Sequence, residues 1–281
     1  MTRATLLAEI EPDHGDIRPW RLAILSFGYT IAGAWLMIGI AGASAGALSV
    51  FLAAAALAPR LTEVIAANRD DIWVRKRASF EANRHAATRV LAILVGMALA
   101  YAVTAIALGG HGTRRVFSLA LDTARLSEGT ITTRRFGSFW SLLSHNGLVL
   151  LSFFALAFIY RTYGALLALA WNACVWAVVI TILIARGAAI GGSQPMVFVT
   201  LSLVAVLPHM LLEAAAYGIG ALAGIFLSRG ITKYGLRDPH LWQVGRAVSL
   251  MAMGSLVLLA CASLAEHLWA PWWLDVAQVP K

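Results

Sequence analysis

The chain has 281 residues, of which 60% are hydrophobic and 13% are charged, and its mean hydropathy is +0.76. A soluble globular domain has roughly one quarter charged residues, so this composition excludes an ordinary water-soluble protein and predicts an integral membrane protein. The formal net charge of +8 comes mostly from arginines between apolar segments, which favours anionic lipid headgroups as a partner and argues against nucleic acid.

The N-terminal part predicts a cytoplasmic segment over residues 1–21 and a transmembrane hairpin over residues 22–58. Acidic residues at positions 9, 11, 13 and 16 precede the first apolar run, so we expect no cleaved signal peptide. A spanning helix needs roughly 20 apolar residues. Residues 22–40 meet that length, whereas residues 46–57 are short and predict either a tilted span or a re-entrant segment.

Three further spans are predicted at residues 89–108, 139–160 and 165–185. Ahead of them, residues 59–88 are rich in arginine and predict a basic cytoplasmic loop. The connection over residues 109–137 carries four apolar residues at helical spacing: Phe117, Ala120, Leu121 and Ala124. This spacing predicts a helix lying on the membrane surface, and an ordinary linker with some apolar residues is the alternative.

The last two spans are predicted at residues 197–227 and 247–264. The former is too long for one straight span, and Pro208 predicts either a bend or a break between two helical pieces. The predicted tail, residues 266–281, contains three tryptophans suited to the headgroup layer: Trp269, Trp272 and Trp273. The fold class is therefore all-α, a polytopic transmembrane helix bundle of about seven spans, or six if residues 46–57 are re-entrant.

The basic residues predict how the chain is oriented. With the N-terminus in the cytoplasm, seven spans place 15 basic residues on the cytoplasmic side and 7 on the opposite side. Because cytoplasmic loops carry the excess of Lys and Arg, we expect the N-terminus inside and the C-terminus outside the cytoplasmic membrane.

Two ionisable residues interrupt the sixth span, where a charge at the helix centre costs about 2.5 to 3.5 kcal/mol on insertion scales. His209 and Glu213 are four residues apart and share a helix face, which Gly220 and Gly224 continue as a surface for close helix packing. Three hypotheses remain open: a structural hydrogen bond of Glu213 to His209 or to another helix, a substrate or proton path, and a metal site completed by His145.

Other polar residues inside spans are Asn146, beside His145, and Asn172 in the fifth span. Buried amides mostly join helices through hydrogen bonds, and ligand binding is the alternative. No complete nucleophile–base pair, metalloprotease motif or phosphate loop is found, so we predict no enzyme, no cofactor and no bound metal. Cys174 and Cys261 lie in apolar segments and predict neither a disulfide nor a metal cluster.

The stretch around Pro208, His209 and Glu213, followed by a glycine-spaced apolar helix, resembles the signature of the stage II sporulation protein M family. That family has Pro-His-Gly and then a Glu at this spacing, and here Met210 replaces the glycine. The resemblance covers residues 89–265, which form the predicted membrane domain.

Two amide positions are similar to the family as well. Asn146 opens a span, and Asn172 stands in the next one, where Ala173 replaces the family's glycine. The resemblance implies a multipass bacterial or archaeal membrane protein without catalysis of its own. The sporulation member looks like a membrane anchor for a cell-wall hydrolase complex.

The leading hypothesis from the sequence is a non-enzymatic membrane scaffold or assembly factor that binds membrane or cell-envelope proteins, or further copies of itself. The alternative is a transporter or transporter subunit with an intramembrane polar site at His209 and Glu213. An intramembrane metal-dependent hydrolase is the third hypothesis.

Overall fold

The computed structural model describes residues 18–123, 138–190, 195–235 and 237–278. Over these residues the chain forms α-helices and one short 3₁₀ turn, with no strand. The helices are α1 (Pro19–Ala41), α2 (Ala45–Trp73), α3 (Ser79–Val116), α4 (Ser118–Thr123), α5 (Phe139–Tyr160), α6 (Thr162–Ile190), α7 (Pro195–Lys233) and α8 (Pro239–Gln278). Six stretches of the described chain are long and apolar enough to cross a membrane, so the all-α membrane bundle is confirmed.

The first of these stretches, Pro19–Ile72, contains both α1 and α2. A 3₁₀ turn at Gly42–Ser44 separates the two helices, and Gly42 has a φ of 55°, a conformation that glycine adopts without strain. Beyond the turn α2 packs back against α1. The segment predicted as short or re-entrant is therefore the first half of a 29-residue helix, which is about 43 Å long.

The predicted basic loop over residues 59–88 differs from the structure, because most of it is helical. Helix α2 continues to Trp73 and α3 begins at Ser79. Charged residues end the apolar run near Pro59, but the alanine, arginine and glutamate that follow still favour a helix. Only a short connection between α2 and α3 remains non-helical.

Helix α3 changes direction at Gly109, which has φ 66° and ψ 177° inside an otherwise helical stretch. The hydroxyl of Thr113 donates a 2.7 Å hydrogen bond across this kink to the carbonyl of Ala105. A backbone group released at the kink is thus satisfied inside the protein, as the apolar surroundings require.

The short helix α4 lies where the sequence predicts a surface helix or a linker. Phe117, just before α4, and Ala120 and Leu121 within it are buried, whereas Leu119 is exposed. Helix α4 packs against α2, α3 and α6, so the described part of this region covers one end of the bundle. Ala124 and the rest of the predicted connection up to residue 137 lie outside the described residues.

Helix α6 occupies the centre of the bundle, since it packs against α2, α3, α5 and α7. Its buried residues include several alanines, together with Leu166 and Val178. It follows α5 after a connection of one residue, Arg161, and a side chain at Gly164 would collide with the carbonyl of Leu156. The two halves of the bundle, α1–α4 and α5–α8, therefore meet on α6.

Helices α7 and α8 form a long packed pair. Helix α7 continues through Pro208, so the two separate pieces considered from the sequence do not form. Proline has no N–H to donate to the carbonyl four residues earlier, here Val204. The indole N–H of Trp269 donates a 3.0 Å hydrogen bond to that carbonyl. Helix α8 also runs through the predicted tail as far as Gln278.

Candidate functional site

The centre of the candidate site is a hydrogen bond between α5 and α7. The amide Nδ2 of Asn146 donates to Oε1 of Glu213 over 2.6 Å, and each residue is only 8% exposed. Glu213 lies 16 residues before Arg229, or about 24 Å along the helix. The carboxyl group is therefore buried within the spanning part of α7, far from the Arg229 end, and is bonded across an interface between two helices.

A second carboxyl group approaches from α8. Glu266 is near enough for its charge to act on Glu213 and on the hydroxyl of Tyr217. The ring of Tyr217 packs edge-on against Phe153 of α5, with ring centroids 5.3 Å apart. Three helices thus contribute to one polar cluster, and within the described chain no Lys, Arg or His forms an ion pair with either carboxyl group.

Sequence reasoning missed Glu266. The last predicted span ends at residue 264, so this glutamate fell in the predicted tail. The signal that could have found it is the apolar and aromatic run that continues to Trp273, which places Glu266 inside a longer apolar stretch.

His209 does not bond to Glu213, although the two residues are one turn apart on α7. Its Nδ1 atom is buried and makes no hydrogen bond, and the nearby carbonyl of Ala205, four residues earlier, is not in good hydrogen-bond geometry. Of the two structural partners considered from the sequence, His209 or another helix, the structure shows the second: Asn146, 67 positions away on α5.

The two predicted packing glycines face α5 within the same chain. A Cβ at Gly224 would lie 2.5 Å from the carbonyl oxygen of Phe154, and one at Gly220 would collide with the side chain of Leu150. Only glycine allows α7 to approach α5 this closely. This approach brings Glu213 within reach of Asn146, because all these contacts lie along one helix interface.

His145 and Asn172, also predicted site residues, are placed differently from Asn146. His145 is half-buried beside Asn146 on α5. The Asn172 amide is buried and donates a 3.1 Å hydrogen bond to the Ala168 carbonyl of its own helix. No hydrogen bond joins either residue to Glu213 among the described residues.

Metal-ligating side chains do not gather within the part of the chain that is described. No group of three His, Cys, Asp or Glu side chains there could hold a metal ion. Cys174 is buried and Cys261 is exposed, and both are free thiols. The metal-dependent hydrolase hypothesis therefore gains no support from these residues.

The cluster can hold one positive species between two acids. Glu266 is near enough for its charge to act on Glu213, and two ionised carboxylates repel each other where the dielectric constant is low. Protonation of one or both acids, or a cation between them, removes that repulsion, and the two groups then titrate as a coupled pair. The amide of Asn146 supplies a donor to one carboxyl oxygen and so orients it.

Comparison with protein-family models, with curated proteins and with solved structures found no match for this chain.

Proposed function

We propose that this chain is a transporter, or the subunit of one, in which Glu213 and Glu266 bind a proton or a small cation and Asn146 positions Glu213. The observation that carries the proposal is the buried Glu213 carboxyl group with a second, half-buried acid, Glu266, close to it and no cationic partner for either in the described chain. Ionisable side chains at such depth are costly, and in membrane proteins they mark ion and proton pathways.

The pair favours transport over a purely structural role. A structural contact between α5 and α7 needs one acceptor for the Asn146 amide, and a neutral glutamine or serine would serve. Glu266 adds a second acid beside the first and receives no hydrogen bond from a described side chain. It therefore adds electrostatic cost without adding a helix contact. Transport therefore ranks ahead of the scaffold hypothesis that the sequence alone favours.

Cytoplasmic-membrane location and orientation belong to the same proposal. The ends of α2, α5 and α7 lie together, because Arg229 is close to Arg69 and Arg161. With the N-terminus inside and the C-terminus outside, this arginine-rich end faces the cytoplasm, which agrees with the usual excess of basic residues there. The carboxyl pair then lies nearer to the outer face.

The test is a recording of transient currents from proteoliposomes on a solid-supported membrane after a pH jump or a Na⁺ jump. Binding of a charge at depth produces a current without any knowledge of a co-transported substrate. We expect a transient in the wild type that falls at least tenfold in Glu213→Gln and in Glu266→Gln. Glu63→Gln is the matched control, because Glu63 is a surface carboxylate paired with Arg60.

The outcomes separate the candidates. A current that persists unchanged in both glutamine variants contradicts the binding role of the two acids. A wild-type protein that gives no current under either jump, and that cross-links in native membranes to one envelope protein at fixed stoichiometry, supports the second candidate.

That second candidate is a scaffold or assembly factor similar to the stage II sporulation protein M family. The observation that favours it is the rigid link between α5 and α7, where the Asn146–Glu213 hydrogen bond and two packing glycines act together. A fixed pair of helices of this kind suits a protein that presents its loops to partners.

A further inference from the structure

The arginine-rich end of the bundle contains an unusual connection. Arg161 is the single residue between α5 and α6 and has a φ of 53°, which a side chain other than glycine rarely adopts. Its guanidinium reaches across to α7, where Nη2 donates to the Thr232 hydroxyl over 2.9 Å and Nε donates to the Ser228 hydroxyl over 3.3 Å. The charge is thus held in place by neutral groups.

A second arginine, Arg229, lies between Ser228 and Thr232 in the sequence of α7. Arg229 is partly buried, and its charged neighbours are Arg161 and Arg69. Neither Arg161 nor Arg229 forms an ion pair with a described acidic residue. Arg69 is bonded to Asp70 at 2.9 Å.

Three other arginines of the same end do form ion pairs. Arg60 is paired with Glu63, and both Arg75 and Arg77 are paired with Asp71. Guanidinium groups that gather without an acid repel each other, and an anion between them would remove that repulsion. Arg161 and Arg229 lie near each other and neither forms an ion pair with a described acid, so an anion between them would lower the energy of both.

The surroundings indicate which anion fits. The three arginines lie where the apolar stretches of α2, α5 and α7 end, the level of lipid headgroups. Exposed apolar side chains of α7 continue towards the membrane centre from this point, including Phe226 and Leu222. A planar guanidinium matches the oxygens of a phosphate, and anionic headgroups are attracted to clustered arginines at this depth.

We propose that Arg161 and Arg229, assisted by Arg69, bind the phosphate group of one anionic phospholipid at this end of the bundle. The hydroxyls of Ser228 and Thr232 orient Arg161 for that contact. The acyl chains lie along the exposed apolar face of α7. This site is independent of the carboxyl pair and of the transport proposal.

The test compares thermal unfolding of the purified protein in nanodiscs of phosphatidylcholine with and without phosphatidylglycerol. We expect phosphatidylglycerol to raise the unfolding temperature of the wild type by several degrees. The doubly substituted Arg161→Gln, Arg229→Gln protein loses this rise. Arg246→Gln, which removes an exposed arginine near the start of α8, keeps it. Native mass spectrometry of the same samples reports one retained phosphatidylglycerol that the double variant loses.

A second variant tests the site in case the double arginine variant fails to fold. Ser228→Ala with Thr232→Val keeps every charge but releases Arg161, and we expect it to reduce lipid retention by about fivefold. If phosphatidylglycerol raises the unfolding temperature of the double arginine variant as much as that of the wild type, the proposed lipid site is wrong. The site is also wrong if Arg246→Gln loses the temperature rise as completely as the double arginine variant does. The lipid effect would then come from general attraction between opposite charges. If inorganic phosphate in phosphatidylcholine nanodiscs gives the full rise, the lipid assignment is wrong and the site takes a free anion.

Discussion

Two buried carboxylates in different regions of this bundle have opposite surroundings. Asp71, at the junction of α2 and α3, is 5% exposed and accepts from Arg75 at 3.2 Å and from Arg77 at 3.4 Å. Glu213 is 8% exposed, but its partner is a neutral amide and its charged neighbour is another acid. Two acids of similar burial therefore differ in the sign of the neighbouring charge, and the transport proposal depends on this difference.

Asp71 and Glu213 also differ in their position along the length of the bundle. Asp71 lies at the arginine-rich end, where water and headgroups are near and an ion pair costs little to maintain. Glu213 lies deep between helices, where a lone charge is expensive. The first acid bonds to two arginines where α2 and α3 are connected, whereas the second bonds to a neutral amide between α5 and α7.

The largest change in stability is expected from the packing beneath the carboxyl pair. A Cβ at Gly224 would lie 2.5 Å from the Phe154 carbonyl, so Gly224→Ala forces α5 and α7 apart. We expect a loss of about 2 to 3 kcal/mol in SDS-titration unfolding, as for other overpacked interiors. The stretched Asn146–Glu213 hydrogen bond should also weaken the transient current.

Gly218→Ala is the matched control for this substitution. Gly218 lies on the same helix, and a Cβ there would meet nothing within 4 Å. We expect it to be neutral or slightly stabilising, because alanine favours a helix more than glycine does. Equal losses from the two substitutions would show that the close approach of α5 to α7 does not hold the site together.

The next prediction compares Asp71 with Glu213 by neutralising each acid in turn. Asp71→Asn removes the charge that binds Arg75 and Arg77, and we expect it to reduce the free energy of unfolding by about 1 to 2 kcal/mol. The arginines are partly exposed, so water compensates for part of the loss. Its transient current should equal that of the wild type.

Glu213→Gln should give the reverse result. A glutamine oxygen can still accept the hydrogen bond from Asn146, so we expect unfolding in SDS to change by less than about 1 kcal/mol. Measured together, the two variants give stability and current for each acid. If Asp71→Asn reduces the current as much as Glu213→Gln does, the contrast between the two regions is wrong.

The apolar pattern predicted much of the fold and part of this site. Long apolar runs mark the helices because backbone groups in lipid must be satisfied within the helix, and Asn146 and Glu213 stand out as polar exceptions. Their pairing has no local signature, because it depends on how α5 meets α7. Glu266 was missed, and residues 59–88 were predicted as a loop, because hydropathy falls where charges begin although the helix continues.

Pro208 shows the same limit of local sequence rules, and it provides a further prediction with a small expected effect. The rule predicts a bend or a break, since the ring removes a hydrogen bond to Val204. The indole of Trp269, 65 positions later, donates to that carbonyl and allows the helix to continue. Trp269→Phe keeps an aromatic ring but leaves the carbonyl without this donor, at a cost of about 1 kcal/mol.

Trp272→Phe is the control for that substitution, because Trp272 belongs to the same aromatic cluster and is exposed. Hydrogen exchange of the α7 amides near Pro208 is the more specific measurement. Faster exchange around residues 204–208 in Trp269→Phe, and not in Trp272→Phe, is the expected result. Because this hydrogen bond lies on the α7–α8 side of the carboxyl pair, loosening it should also alter the spacing of Glu213 and Glu266. The current should then change in Trp269→Phe and not in Trp272→Phe, whereas Asp71→Asn leaves it intact.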